Sequence, residues 1–157
     1  MNKLKIYLDT SVISYLDQQD APERMSETIQ LWDKIKAGKF DVAISNVTLS
    51  EINACEESKK IVLLKYLGQI NYQIVQIDEN TQHIAEKFIS LGILKPKSYD
   101  DCLHIAAAIV SHCDIIVSWN FKHIVNHKTV MGVKAITALE GFSDVFIYAP
   151  SAIIEEE

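Results

Sequence analysis

Five short apolar runs alternate with longer amphipathic stretches along this chain, and this alternation limits the fold more than any other feature. The runs are rich in Ile, Val and Tyr, which favour extended structure. They predict strands at Leu4–Leu8, Val42–Ser45, Tyr72–Ile77, Ile115–Ser118 and Val145–Tyr148. Strands that are separated by helices are joined by crossovers and lie parallel. The sequence therefore predicts an α/β fold of three layers, α/β/α, around a central, mainly parallel five-stranded sheet.

The stretches between these runs carry apolar residues at helical spacing. They predict helices at Met25–Lys36, Thr81–Leu91 and Tyr99–Ser111, and two more within Leu49–Leu67 that separate near Glu57 and Ser58. Pro96 indicates a loop at Gly92–Lys97. Because no repeat or linker interrupts this order, we expect one domain over residues 1–150, followed by an acidic tail at 151–157.

Charge and cysteine content exclude several classes of protein. The formal net charge is −6 and Arg24 is the only arginine, so a broad basic face for duplex nucleic acid is not expected. The three cysteines are scattered, which disfavours both a disulfide framework and a structural zinc site. The apolar runs are too short to span a membrane, and no signal-peptide pattern precedes the first strand. The sequence predicts a cytoplasmic protein.

Three acidic residues stand at the ends of predicted elements. Asp9 follows the first strand in YLDTSVI, Glu51 follows the second strand in SNVTLSEI, and Asp101 lies near the start of the helix in DDCLHIAAA. The carboxyl ends of parallel strands share one edge of the sheet, where ligands of open α/β proteins bind. Asp9 and Glu51 are placed at this edge directly, and Asp101 joins them if its helix begins there.

Helix capping is the alternative explanation for each of these acids. Thr48 and Glu51 have the spacing of a capping box, as do Ser98 and Asp101, and Asp9 is a good N-cap for a helix that begins at Thr10 or Ser11. Taken singly, each acid fits a cap better than a metal ligand. Three carboxylates at one edge would repel one another, however, and Mg²⁺ or Mn²⁺ would relieve that repulsion.

Four segments in this order, YLDTSVI, SNVTLSEI, DDCLHIAAA and IIVSWNFKHI, resemble the PIN domain, the fold of VapC-type toxin ribonucleases. The resemblance implies a metal-dependent active site of three or four acidic residues, matched here by Asp9, Glu51 and Asp101. Asp100 precedes the third motif and is a spare carboxylate. The family often has a further acid where this chain has Asn120, so the second of two metal positions loses one charge while an amide oxygen remains as a ligand.

The same resemblance implies a function and partners. The chain would be an Mg²⁺- or Mn²⁺-dependent endoribonuclease that hydrolyses RNA phosphodiester bonds through a metal-activated water. It would be the toxin component of a toxin–antitoxin pair, inhibited by a small antitoxin protein. Many such domains pair, and the segments Met25–Lys36 and Glu51–Leu67 are candidate interfaces of a homodimer.

Two other functions stay open. A catalytically weakened or inactive PIN-like binding module is supported by Asn120. A phosphatase of the haloacid-dehalogenase type is suggested by a strand that ends in Asp and by the Asp100–Asp101 pair. That mechanism needs a second Asp two residues after the nucleophile, and Ser11 occupies this position.

Several residues near these motifs have both a functional and a structural interpretation. The candidates for phosphate contacts are lysines, which otherwise only solvate the surface: Lys95, Lys97 and Lys122. His104 could orient Asp101 or pack in the core, and His123 could contact phosphate or cap a turn. Trp119 could stack on a base, although a tryptophan after a buried strand is more often core. Ser118 could form a hydrogen bond to Asp9 or to a phosphate.

Overall fold

A computed structural model of the chain describes residues 3–155 and contains a five-stranded sheet in the order β3-β2-β1-β4-β5. The strands are β1 Leu4–Leu8, β2 Phe40–Ser45, β3 Gln73–Val75, β4 Ile115–Val117 and β5 Phe146–Tyr148. Every neighbouring pair is parallel. This arrangement confirms the predicted fold class.

Eight helices connect or follow these strands in the described part of the chain. They are α1 Thr10–Ser14, α2 Pro22–Lys36, α3 Asn46–Asn53, α4 Glu57–Leu67, α5 Glu79–Ser90, α6 Tyr99–Val110, α7 His127–Glu140 and α8 Pro150–Ile154. Short 3₁₀ turns occur at Tyr15–Asp17 and Pro96–Ser98. The sequence set no bounds for α7 and indicated α1 only as a helix that Asp9 could cap. It did not predict α8, because five residues are too few to show a helical period.

The ends of several predicted elements shift by up to three residues, and two further differences concern the break between α3 and α4 and the C-terminal tail. The break between α3 and α4 falls at residues 54–56, so Glu57 and Ser58 lie inside α4. The predicted tail contains the end of α8, where Ile153 is only 5% exposed. The packed part of the chain therefore extends to Ile154, past residue 150, because this short helix buries an apolar side chain against α2. Glu156 and Glu157 lie outside the described residues.

Apolar side chains fill two cores, one on each face of the sheet. Alternate residues of β1 enter different cores, as the two-residue period of a strand requires: Ile6 and Leu8 face one side and Tyr7 faces the other. The first core packs against α1, α2, α4 and α8, and the second packs against α5, α6 and α7. The strands are thus covered on both sides, which explains their nearly continuous apolar sequences.

The strand order places a topological switch beside β1. The chain passes from β1 to β2 on one side of β1, and later adds β4 on its other side. A crevice forms outside the carboxyl ends of strands at such a switch. The helix α6 runs directly into β4 and begins at this same edge, which brings Asp101 to it.

Other sequence predictions concern thiols and membranes. Within residues 3–155 the three cysteines are free thiols, and Cys102 and Cys113 are buried. Burial raises the pKa of the Cys102 thiol to about 12.

None of the helices in residues 3–155 has the length and apolar character needed to cross a membrane. The predicted dimer segments include α4, on which Ile61 and Leu64 are exposed.

Candidate active site

Asp9 is both a helix cap and a buried carboxylate at the end of β1. Its Oδ1 accepts hydrogen bonds from the backbone N–H of Val12 at 3.3 Å and from Ser11 Oγ at 2.6 Å. Its Oδ2 accepts from Ser118 Oγ at 2.5 Å, as predicted for that serine. The side chain is 3% exposed, and this burial raises the pKa of Asp9 against the opposing effects of His104 and the hydroxyl donors.

Glu51 is not part of a capping box. The helix α3 begins at Asn46, so Ser45 is its N-cap and Thr48 is the reciprocal partner. The predicted pair of Thr48 and Glu51 is therefore wrong by three residues, because the helix starts earlier than the motif suggested. Glu51 lies one turn further along and is left without a capping role.

Two donors instead hold the Glu51 carboxylate. Its Oε1 accepts from Thr10 Oγ1 at 2.6 Å and lies 2.6 Å from Nε2 of His104. A proton lies between that nitrogen and the carboxylate, because two bare acceptors at this distance would repel each other. Burial raises the pKa of Glu51, but the bonds from His104 and Thr10 outweigh burial and leave this pKa lowered.

Asp101 is also free of a capping role. Ser98 precedes α6 but makes no side-chain capping bond, so the predicted pair of Ser98 and Asp101 is wrong. The Oδ1 of Asp101 accepts from Nδ2 of Asn120 at 3.3 Å. Burial raises the pKa of Asp101, the charges on Asp9 and Glu51 raise it further, and His123 and His104 oppose them. The three carboxylates are therefore close enough to repel one another.

Asn120 connects the two aspartates. Its side chain donates to Asp101, and its backbone N–H donates to Ser118 Oγ at 2.9 Å, which in turn donates to Asp9. Its Oδ1 accepts from the backbone N–H of His123 at 2.9 Å. Hydrogen bonds and charge interactions thus place the four residues singled out in the sequence near one another at the carboxyl edge of the sheet.

A buried chain of polar groups leads from Glu51 through His104 to Tyr7, which was not identified from the sequence. Nδ1 of His104 lies 2.7 Å from the Tyr7 hydroxyl, which donates to Ser45 Oγ at 2.8 Å. His104 was predicted to orient Asp101 or to pack in the core; it is 2% exposed, which agrees with packing, and its hydrogen bonds join Glu51 and Tyr7 and not Asp101. Tyr7 and His104 each stand within an apolar run of the sequence. This was the available signal, because a buried polar side chain needs a hydrogen-bond partner.

Replacing Tyr7 by Phe is expected to lower the free energy of unfolding by about 1–3 kcal/mol, because His104 Nδ1 and Ser45 each lose a buried partner. Urea titration followed by circular dichroism measures this change. Tyr72→Phe is the matched control, since this half-buried tyrosine makes no side-chain hydrogen bond to residues 3–155. Equal stability of the two variants would contradict a structural role for the polar chain.

Trp119 and the only arginine pack beside the crevice. Trp119 is 5% exposed, and its Nε1 donates to Thr28 Oγ1 at 2.8 Å, so its core interpretation is correct. The guanidinium of Arg24 lies 5.1 Å from the Trp119 ring centre and 5.2 Å from that of Phe121. Such cation–π contacts hold the arginine against the aromatic rings.

The donor set of the crevice suits a hard divalent cation. Carboxylate and amide oxygens are the ligands that Mg²⁺ and Mn²⁺ prefer, and burial together with the neighbouring negative charges raises the pKa of Asp101 there. In residues 3–155 no three His, Cys, Asp or Glu side chains form a ready metal-binding group. The oxygens of Asp9 and Glu51 instead accept the hydrogen bonds described above. The residues fit a divalent ion by their chemistry.

Comparison with known proteins adds a family and a fold. The family model of the PIN domain matches residues 6–122. No curated protein matches the sequence. Among solved structures, VapBC2 of Rickettsia felis, bound to a promoter DNA fragment, has 12% identity and a TM-score of 0.55 over 93% of this chain and 98% of that chain. VapC20 of Mycobacterium tuberculosis, a sarcin–ricin loop cleaving toxin, has 15% identity and a TM-score of 0.58. The match covers 89% of this chain and 98% of that chain. At these identities the likeness shows a shared fold.

Proposed function

Because the chain belongs to the PIN domain family, we propose that it is a metal-dependent endoribonuclease and the toxin component of a toxin–antitoxin pair. One observation carries this proposal: hydrogen bonds and charge interactions bring Asp9, Glu51 and Asp101 close to one another at the carboxyl edge of the sheet, and neither Glu51 nor Asp101 is used as a helix cap. Capping alone therefore does not account for these acids. Their mutual repulsion gives the crevice an affinity for cations.

Asp9, Glu51 and Asp101 would hold Mg²⁺ or Mn²⁺, with Asn120 as a neutral neighbour. A bound ion supplies Lewis acidity for phosphodiester hydrolysis and neutralises the negative charge of substrate and pocket. The surrounding donors fix the ligands: Ser11 and Ser118 hold Asp9, and Thr10 holds Glu51. Such outer hydrogen bonds set the orientation of metal ligands.

Binding without turnover is the second candidate function, and Asn120 supports it. An acid at this position would add a negative charge, whereas Asn120 donates a hydrogen bond to Asp101 and satisfies one of its oxygens. A phosphatase of the haloacid-dehalogenase type has no comparable support. Ser11 stands where the second Asp is needed, and its hydroxyl donates to Asp9.

The proposed partners follow from the proposed toxin function. The substrate is RNA, and a small antitoxin protein would cover the crevice in the cytoplasm. The test is incubation of purified protein with end-labelled RNA in Mg²⁺, in Mn²⁺ and in EDTA. Cleavage with either metal and its loss in EDTA are expected, and RNA that stays intact under all three conditions contradicts the nuclease.

Asp9→Asn is expected to raise the metal-free melting temperature at pH 7. Burial raises the pKa of Asp9, so the folded state favours the protonated acid; stability from this group is present at low pH and is lost as pH rises through the folded pKa. Asparagine caps about as well and has no charge to bury. In a domain of this size, the melting temperature should rise by about 2–4 °C for each kcal/mol added to the free energy of unfolding.

Thermal melts with and without Mn²⁺ measure both parts of this prediction, since the variant should also lose much of the stabilisation by Mn²⁺. Asp78→Asn is the matched control, because Asp78 caps α5 by a bond from Thr81 but is exposed and makes no hydrogen bond to the crevice residues. A rise in melting temperature for both variants, or for neither, would contradict the role of burial at Asp9.

A further inference from the structure

A cavity of about 260 Å³ lies beside the candidate active site, between the loop after α5 and the turn after β4. Its polar lining is mostly basic, and no carboxylate lines it. We call this cavity the lysine pocket, and define it by Lys95, Lys97, Lys122, His123, Asn126 and Lys128. Lys128 and Asn126 were not among the phosphate-contact candidates of the sequence analysis.

Within residues 3–155, no ion pair neutralises the positive charge of the lysine pocket. All four lysine side chains are exposed, and none forms an ion pair with a carboxylate of residues 3–155. The chain as a whole carries a net charge of −6. A cluster of four unpaired cations is therefore a local exception, and it would attract a polyanion to this one place.

Hydrogen bonds fix the wall that carries Lys122 and His123. Asn126 Nδ2 donates to the carbonyl oxygens of Phe121 at 3.1 Å and of Lys122 at 3.0 Å. Thr129 Oγ1 donates to the carbonyl oxygen of His123 at 2.7 Å. The backbone under these two basic residues is thus held before any ligand binds, which lowers the entropy lost on binding.

The opposite wall depends on a close approach of α7 to the loop that carries Lys95 and Lys97. A Cβ atom at Gly132 would lie 2.7 Å from Cδ1 of Ile93, so a larger residue here would require the Ile93 side chain to move. Glycine at position 132 therefore lets α7 contact this loop directly. Ile93, Lys97 and Lys128 all line the pocket, so this contact lies beside it.

The turn after β4 joins the lysine pocket to the crevice. Asn120 donates to Asp101 in the crevice and, through Oδ1, accepts from the N–H of His123 in the pocket. Ser98, which also lines the pocket, directly precedes α6 and lies three residues before Asp101. A chain of phosphates that passes through the crevice can therefore continue into the pocket without leaving the protein surface.

We propose that the lysine pocket binds backbone phosphates of the RNA strand next to the phosphodiester that is cleaved. This inference rests on the proposed ribonuclease function and extends it to the position of the substrate. Lysine ammonium groups contact phosphates without reading bases. The pocket therefore orients the strand and contributes affinity, while the acidic crevice holds the reacting phosphate with the metal ion.

The test measures binding of a fluorescein-labelled single-stranded RNA by anisotropy in EDTA, where metal-dependent cleavage does not occur. Lys97→Ala/Lys122→Ala is compared with Lys39→Ala/Lys65→Ala, which removes the same charge from exposed positions before β2 and on α4. The pocket variant should bind about tenfold more weakly. In a plot of log affinity against log salt concentration, the slope for the pocket variant should be less steep by about 1.4. This is about 0.7 for each of the two phosphates that no longer bind a lysine. The control should match the wild type.

Three outcomes would overturn the inference. The first is equal RNA affinity of the pocket variant and the control. The second is binding of polyglutamate as tight as that of RNA and equally sensitive to the pocket substitutions, which would assign the pocket to an acidic protein segment. The third is RNA cleavage by the pocket variant with an unchanged KM. RNA that binds through the pocket but is never cleaved would instead contradict only the nuclease.

Discussion

Asp101→Asn is expected to reduce RNA cleavage by a factor of about 10²–10³, the size of effect seen when one group that stabilises a transition state is removed. The substitution keeps the shape of the side chain but removes one of three charges that would hold the metal ion. Its only side-chain hydrogen bond within residues 3–155 comes from Asn120, so folding should change little. The loss should persist at every Mg²⁺ or Mn²⁺ concentration, because under the proposed function the missing group would be a metal ligand.

Asp100→Asn is the matched control for this variant. Asp100 is the neighbouring residue on the same turn of α6, is exposed, and undergoes the same change of charge. Initial rates of RNA cleavage, measured on proteins purified in parallel, should be close to wild type for Asp100→Asn. If both variants retained full activity, the cleavage would come from another site or from a contaminant. If Asp100→Asn alone were inactive, the crevice would use the spare carboxylate.

Asn120→Asp is expected to increase cleavage at limiting metal by about tenfold, because the number of charged ligands tunes the affinity of such sites over several decades. The acid would still accept the bond from the N–H of His123, since that bond uses the oxygen that both residues share. Its second oxygen would face Asp101 in place of the donating amide. The metal-free protein should therefore melt at a lower temperature, and Mn²⁺ should restore more stability than in the wild type.

Mn²⁺ titrations of the cleavage rate and of the melting temperature measure the two effects together. A weakened nuclease predicts that wild-type activity is low at physiological Mg²⁺ and rises steeply with Mn²⁺, and that Asn120→Asp reaches the same rate at less metal. If Mn²⁺ binds to both proteins and neither cleaves RNA over the whole range, the nuclease is wrong for this chain and the binding module replaces it.

The sequence by itself determined the layers of the fold and the edge at which the site lies. Apolar runs separated by helical patterns leave few arrangements other than a parallel sheet covered on both faces. The end of β1 is visible in the sequence because Asp9 interrupts an apolar run, and this position directly gives one wall of the crevice. Periodicity over five residues is too weak a signal to predict α1 and α8.

Only the tertiary structure decided what each carboxylate does. Capping boxes were the better explanation of Glu51 and Asp101, each taken singly, until the actual start of α3 and the absence of a capping bond from Ser98 excluded them. The partner of Glu51, His104, is 53 residues distant along the chain. No local pattern encodes a contact of that separation.

The lysine pocket depends on the tertiary structure for the same reason. Lys97 and Lys128 belong to different elements, and the approach of Gly132 to Ile93 brings these elements together. The sequence could name lysines near the active-site motifs, but not which of them share a cavity. Local sequence sets the type and the ends of a helix or strand. The packing of elements that are distant in the sequence sets which side chains meet, and the chemistry of a site depends on this packing.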